Sequence, residues 1–374
     1  MRILFVSSVA AGGSGVSQRQ LAQRLAARGH RVEMLAATGD RGLVQRLYER
    51  QVDLSTRLRG NVLRPVLLAA QRPWGQRLRP GSVAEYPTWV SAVPENGYRT
   101  LRRRARPDVV VASSIDRVTW RRLRSQLMAD DIPSVLYIRE ASGLGHLTIS
   151  EAPPVLLLAN AESHAARARA AGFQCEVVPS VVELDRSRTD SSRRTALVVN
   201  PSDLLGGDRI WPIADARTDI PFVLQESGLL SDRESGVLHA LAEERPNVTI
   251  RPYTHDPAEV YRDARVLLVP HRVDNRPRVI LEAQANGIPV IASAFPGLAE
   301  SIGPGGVIVE DADNPAAWTR ALSSVWDDPT RYESLVEAAR IHANRSEVDV
   351  HRIVERFEEL LTQLTNRTVE PRLT

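Results

Sequence analysis

Short runs rich in β-branched residues alternate with helix-patterned stretches from one end of this 374-residue chain to the other. That alternation restricts the fold to an α/β class in which parallel sheets are flanked by helices. Strands are predicted at Arg2 to Ser7, Arg31 to Ala36, Asp108 to Ala112, Ser134 to Ile138, Val155 to Ala159 and Cys175 to Val178. A second series is predicted at Ala196 to Asn200, Phe222 to Gln225, Val248 to Ile250, Val266 to Val269, Pro289 to Ser293 and Gly306 to Val309. Between the two series the stretch from Glu183 to Arg194 is polar and aperiodic, which marks a boundary. The expected organisation is two Rossmann-like domains: residues 1–185, a linker at 186–194, and residues 195–346. Apolar positions Val350, Ile353, Val354, Phe357, Leu360, Leu361 and Leu364 recur at helical spacing in a last helix.

A chain of this length fits two domains, and 43% hydrophobic with 25% charged residues is an ordinary soluble composition. No apolar run approaches the roughly 18 to 20 residues that cross a bilayer. The apolar start, Met1 to Ala10, leads straight into a Gly-rich turn and reads as a first strand rather than a signal peptide. Cys175 is the single cysteine, so no intrachain disulfide forms, and a cytoplasmic location is expected. No His/Cys cluster has metal-ligand spacing, so no metal site is expected. All 48 basic side chains other than histidine are arginine. The absence of lysine excludes Schiff-base chemistry and the Walker phosphate lysine. A formal charge of +3 does not call for a nucleic-acid partner.

The segment from Arg272 to Ser293 carries the most chemistry. Pro277 fits a first helical position, Leu281, Ala283 and Ala285 favour continuation, and Gly287 fits a left-handed stop, so a helix is predicted from Pro277 to Asn286. Its N-terminus offers N–H groups and partial positive charge, and Arg276 and Arg278 add full charges. Glu282 follows Arg278 by four residues and shares its face. Asp274 precedes the helix. Carboxylates and arginines arranged around a helix start suit a ligand with both phosphates and hydroxyls, such as a sugar nucleotide.

Asp274, seven residues and Glu282, followed by Ala283-Gln284-Ala285-Asn286-Gly287-Ile288-Pro289-Val290, resemble the donor-site signature of the retaining glycosyltransferases of the GT-B fold, the glycosyl transferases group 1 family. The family usually has Glu where this chain has Asp274. Further segments fall in the family's order, from Arg106-Pro107-Asp108 to Tyr261-Arg262-Asp263-Ala264. The resemblance implies a GT-B architecture with a cleft between two Rossmann-like domains, the last helix, 347–374, returning to the first domain. It also implies transfer of a hexose-like group, with retention, from a UDP- or GDP-type donor to a small-molecule or glycan hydroxyl. No cofactor beyond the donor substrate and no metal are implied.

Site residues follow from the same resemblance. Asp274 would orient the donor sugar, Glu282 would bind the ribose hydroxyls, and Arg276, Arg278 or Arg209 would carry the phosphates, with Val279 in the same helix turn. Gly12, Gly13 and Ser14 match the family's first Gly-rich loop, Tyr253 falls where it holds the base, and Gly297 opens another helix start. Arg139 and Glu140 close a strand at the ligand edge and join Asp274 as the expected catalytic residues. The dinucleotide fingerprint fails, because Gln18 stands where a third glycine belongs. In the resembled family the region matching the long segment from Gly39 to Arg106, with Trp74 and Trp89, faces the acceptor, so its arginines would meet an anionic acceptor or a membrane surface, or else cover the flank of the domain. One departure matters: Asn200 or Pro201 and Gly206 stand where the family has an Arg and a Lys on the diphosphate. Alternative readings are therefore a catalytically weak glycosyltransferase-like protein that binds a partner, and a sugar-nucleotide epimerase.

Overall fold

The structure is a computed structural model, and it describes residues 1–7, 12–37, 78–80, 87–91, 94–115, 117–140, 155–227 and 230–369. The chain divides into two compact units. The first comprises Met1–Asn160, Ala165–Val178 and Val354–Thr374, and the second Ala161–His164 and Pro179–Ile353. The division at Val178 and Pro179 lies before the polar stretch expected to be the linker. Within that stretch Leu184–Ser187 forms a 3-10 turn, and Asn286 Nδ2 donates to the Ser187 carbonyl at 2.8 Å.

The first unit holds an eight-stranded sheet. Its strands are β1 (Arg2–Ser7), β2 (Arg31–Ala37), β3 (Arg79–Pro80), β4 (Thr88–Ser91), β5 (Val109–Ser113), β6 (Ser134–Ile138), β7 (Val155–Ala159) and β8 (Cys175–Val177), in spatial order β3-β4-β2-β1-β5-β6-β7-β8. All pairings are parallel except β3 with β4. Val109–Ser113 is buried at every position, which is why the strand reads as a continuous apolar run and not as an alternation. The edge strands β3 and β4 were not expected from sequence. β3 is two residues long and contains Pro80, so it carries almost no periodic signal. Trp89 lies in β4 with its Nε1 donating to Glu33 at 3.0 Å and Arg104 over its ring at 4.8 Å. Trp74 and most of the segment expected to face an acceptor lie outside the described residues.

The last helix, Val350–Val369, starts three residues later than the sequence suggests, after a 3-10 turn at Ser346–Val348. Phe357 is fully buried and packs on Phe5 and Tyr137, with ring centroids 6.4 and 6.2 Å apart. Glu358 accepts from Arg28 at 2.6 Å and pairs with His30 at 2.7 Å.

The second unit holds a six-stranded, wholly parallel sheet. Its strands are β9 (Thr195–Val199), β10 (Phe222–Gln225), β11 (Val248–Arg251), β12 (Ala264–Val269), β13 (Val290–Ser293) and β14 (Gly306–Val309), in order β11-β10-β9-β12-β13-β14. One face packs on Trp318, Leu322, Tyr332 and Val336, the other on Tyr261, Ile280, Ala283, Leu298 and Ile302. The strand order reverses direction between β9 and β12, and ligands of such sheets sit past the strand ends at that point. The connections leaving β9, β12 and β13 carry Arg209, in a 3-10 turn, Asp274, and Gly297, in the first turn of the helix Pro296–Ile302.

Candidate functional site

The loop after β12 is built from the inside outward. His271 is buried, and burial pulls its pKa down to about 4, so it is neutral at pH 7 and its Nδ1–H donates to Asn275 Oδ1 at 3.1 Å. Arg272 donates to the Asp203 carbonyl at 3.0 Å and pairs with Asp208 at 2.7 Å, which ties this loop to the one after β9. Gly206 makes that approach possible: its φ is +74°, and a Cβ there would lie 1.9 Å from the Pro270 carbonyl oxygen.

Asp274 closes the loop. Its carboxylate accepts the Gly297 N–H at 2.8 Å, and His164, wholly buried, places Nε2 3.7 Å away. Gly297 is required by packing, since a Cβ there would stand 2.7 Å from Asp274 Oδ1 and 2.9 Å from the Asn275 carbonyl oxygen. The helix then runs Arg278–Ala285. Pro277, expected as its first residue, instead occupies the N-cap in extended conformation, where its missing N–H costs nothing and its carbonyl accepts from Ile280. No side chain caps this end, so the first N–H groups, those of Arg278 and Val279, keep their donor capacity and partial positive charge. Gly287 takes the left-handed stop, at φ +65°.

The sequence places Glu282 toward a ligand, yet the structure shows it only 5% exposed with both oxygens engaged. Oε1 accepts from Arg278 Nε at 2.7 Å and Oε2 from the Tyr261 hydroxyl at 2.6 Å. Burial, then the Glu282 charge, pushes the Tyr261 phenol well above its ordinary range, so it stays a donor. Each carboxylate oxygen retains a further lone pair, which is the acceptor capacity left to a ligand. Arg209, expected on a phosphate, braces the unit: it donates to the Pro270 carbonyl at 2.9 Å and pairs with Asp313. Arg276 donates to Glu300 at 3.2 Å, and Glu300 also accepts the N–H groups of Glu162 and Ser163 at 3.1 Å each. Val279 is partly buried against the core.

Tyr253, expected at the base, is 53% exposed and sits edge-on to His255 at 4.9 Å. In the first unit, Gly12, Gly13 and Ser14 form the first turn of the helix Gly12–Ala27. Arg139 is buried, donates to Ser113 Oγ at 2.8 Å and lies over the Tyr137 ring at 4.3 Å, so it reads as part of that unit's interior. Glu140 is exposed. Sequence reasoning missed His164, Tyr261 and Glu300 as members of the site, because each meets it only through the fold. Among the described residues, no three His, Cys, Asp or Glu side chains cluster as metal ligands, and Asp313, two positions from Asp311, is spent on Arg209.

Two outcomes follow from this geometry. Gly297→Ala drives a methyl group into Asp274 and should cost about 1 to 3 kcal/mol in urea unfolding, with a shifted Asp274 carboxylate in a crystal structure; an unperturbed Asp274 would contradict the packing. For His271 the pKa is near 6.5 unfolded and about 4 folded, so its contribution is complete above pH 6.5 and is lost as pH falls through 4. The unfolded state binds the proton first, and the loss should reach roughly 3 kcal/mol. Urea midpoints measured from pH 7 to 4 should fall, and His271→Asn should flatten the part of that slope above the carboxylate range.

Comparison with known proteins finds similarity in the stretch that carries these features. Residues 226–328, a stretch that includes Asp274, Glu282 and Gly297, match the family described as glycosyl transferases group 1. A D-inositol 3-phosphate glycosyltransferase of Corynebacterium kroppenstedtii is 40% identical over 92 residues, 24% of this chain and 20% of that protein. The enzyme of the same name from Thermobispora bispora is 35% identical over 116 residues, 30% and 27% of the two chains. The matched stretch thus spans about a fifth to a quarter of these relatives. The fold is shared over nearly the whole length: sucrose-phosphate synthase from Thermosynechococcus elongatus superposes with a TM-score of 0.73 at 17% identity, covering 98% of this chain and 99% of that one. Anabaena HepE, solved with UDP and glucose, gives 0.70 at 14% identity over 97% and 99%. The chain has the GT-B fold, and residues 226–328 of its second unit are similar to the glycosyl transferases group 1 family.

Proposed function

We propose that this protein is a retaining glycosyltransferase that moves a sugar from a nucleotide-diphosphate donor to an acceptor hydroxyl. One observation carries the reading: Asp274, fixed by the Gly297 N–H, stands beside an uncapped helix start inside the segment that matches the family. The donor's diphosphate would lie on that helix start, with the charge of Arg276 and Arg278 beside it, and its sugar against Asp274. As the bond from the sugar's anomeric carbon to the diphosphate breaks, negative charge grows on the leaving oxygens. Fixed N–H dipoles and guanidinium groups stabilise that charge without having to reorganise. The acceptor oxygen forms the new bond on the same face of the sugar, its proton is released, and no protein nucleophile is needed. Glu282 holds Arg278 in place and offers its remaining lone pairs to the ribose. Support for a nucleotide sugar comes from the names of similar proteins, HepE in complex with UDP-glucose among them.

A second reading, a catalytically weak family member that binds a partner, draws on a specific observation. Arg209, Arg276 and Arg278 are each engaged by groups of the chain itself, and the position at Asn200 lacks a cation. Calorimetry with a panel of nucleoside diphosphates and their sugars separates the two, with turnover and the anomeric configuration of the product followed by NMR. The enzyme reading predicts binding and a product of retained configuration; intact folding with no nucleotide bound would favour the second reading. Replacing Arg276 and Arg278 together with Ala should weaken donor binding by about 100-fold or more, since two charge-assisted bonds are lost. Unchanged affinity would refute their assignment.

A further inference from the structure

Behind the helix start, and wholly within the second unit, Arg276, Arg278 and Arg345 line one small, open pocket together with Ser180 and Ser301. Arg345 comes from the turn after the helix Pro329–Ala343, far along the chain from the other two. No sequence pattern linked it to them.

The three guanidinium groups differ in how they are held. Arg276 has Glu300 and Arg278 has Glu282, but among the described residues Arg345 has no carboxylate ion pair: its hydrogen bond goes to the His342 carbonyl. Burial first, and then the Arg276 charge, pull the Arg345 pKa down to about 10, with the charges of Glu347 and Glu300 acting against them. It is still a cation at pH 7, kept beside a like charge in a partly desolvated place. Arg278 Nη1 is buried and donates to nothing, although its Nε is bound to Glu282. Buried N–H donors are normally satisfied, and leaving one unpaired costs free energy. A ligand bearing several acceptor oxygens and negative charge would remove both penalties at once.

We propose that this pocket is a binding site for a phosphate-class oxyanion, with Arg345 as the residue that completes it. Such an anion offers oxygens to three guanidinium groups, whose planar donor edges suit it better than lysine ammonium groups would. Two sources share this chemistry: the diphosphate of a nucleotide sugar, and the phosphate of a separate ligand. Only the first source rests on the transferase reading. The other residues expected at the donor, Asp274, Arg209, Tyr253 and Gly297, do not line the pocket.

The test is isothermal titration of the full chain with inorganic pyrophosphate at low ionic strength, for the wild type, Arg345→Gln, Arg345→Lys and, as a control on the last helix, Arg352→Gln. The wild type and Arg352→Gln should bind alike, and Arg345→Gln should bind about 10- to 100-fold more weakly. Arg345→Lys should fall between, because it keeps the charge but loses the fork, and it tests the site if the glutamine variant does not fold by circular dichroism. Repeating the titration with saturating UDP or GDP identifies the source. Loss of pyrophosphate binding assigns the pocket to the donor's diphosphate, and undiminished binding assigns it to a second phosphorylated ligand. Absence of pyrophosphate binding by the wild type, or equal affinity in the folded Arg345 variants, overturns the proposal. Pyrophosphate binding without any nucleotide binding would overturn the transferase reading and leave the anion site standing.

Discussion

The hydrogen bond from the Gly297 N–H to the Asp274 carboxylate fixes the relation between the loop after β12 and the helix start after the neighbouring strand β13. Everything proposed for the site depends on that fixed relation. A carboxylate on a free loop would sample many positions, whereas one held by a backbone donor and crowded by a residue with no Cβ has little choice. His164 at 3.7 Å and the neutral, buried His271 hold the same loop from other sides. The helix start that follows can then present its N–H dipoles in a set direction, which is the condition for electrostatic stabilisation of developing charge.

Charge is distributed in this unit mainly to hold the protein together. Arg272 bridges the loops after β9 and β12, Arg209 braces the ends of β12 and β13, and Arg278 locks Glu282. A chain without lysine relies on arginine for these tasks, and the planar fork suits them because it can satisfy several acceptors at once. Arg345 is notable for its place: it bonds the His342 carbonyl and lines a pocket beside Arg276 and Arg278.

The strands of both sheets were legible in the sequence because buried parallel strands are continuous apolar runs: Ser134–Ile138 and Phe222–Gln225 have the predicted bounds. The edge strands β3 and β4 were not, since two to four residues beside a proline leave no periodicity to read. The helix after Asp274 was visible through Pro277 and Gly287, and its start differs by one residue because Pro277 serves as cap. At the site, the i to i+4 pairing of Arg278 with Glu282 could be read from spacing alone. Its consequence could not, because Tyr261 takes the other oxygen of Glu282, so the carboxylate is buried and keeps only its remaining lone pairs for a ligand. His164, Glu300 and Arg345 join the site through tertiary packing, and no local pattern announces such contacts.

The central claim is that the helix start between Asp274 and Glu282 receives the diphosphate of a nucleotide sugar. Hydrogen–deuterium exchange across residues 274–299, with and without a saturating nucleoside diphosphate, tests it directly. The account predicts slowed exchange at the first-turn amides of the helix Arg278–Ala285 and at Gly297, with β5 and β6 unchanged. Protection confined to other parts of the chain, or none anywhere, would contradict it.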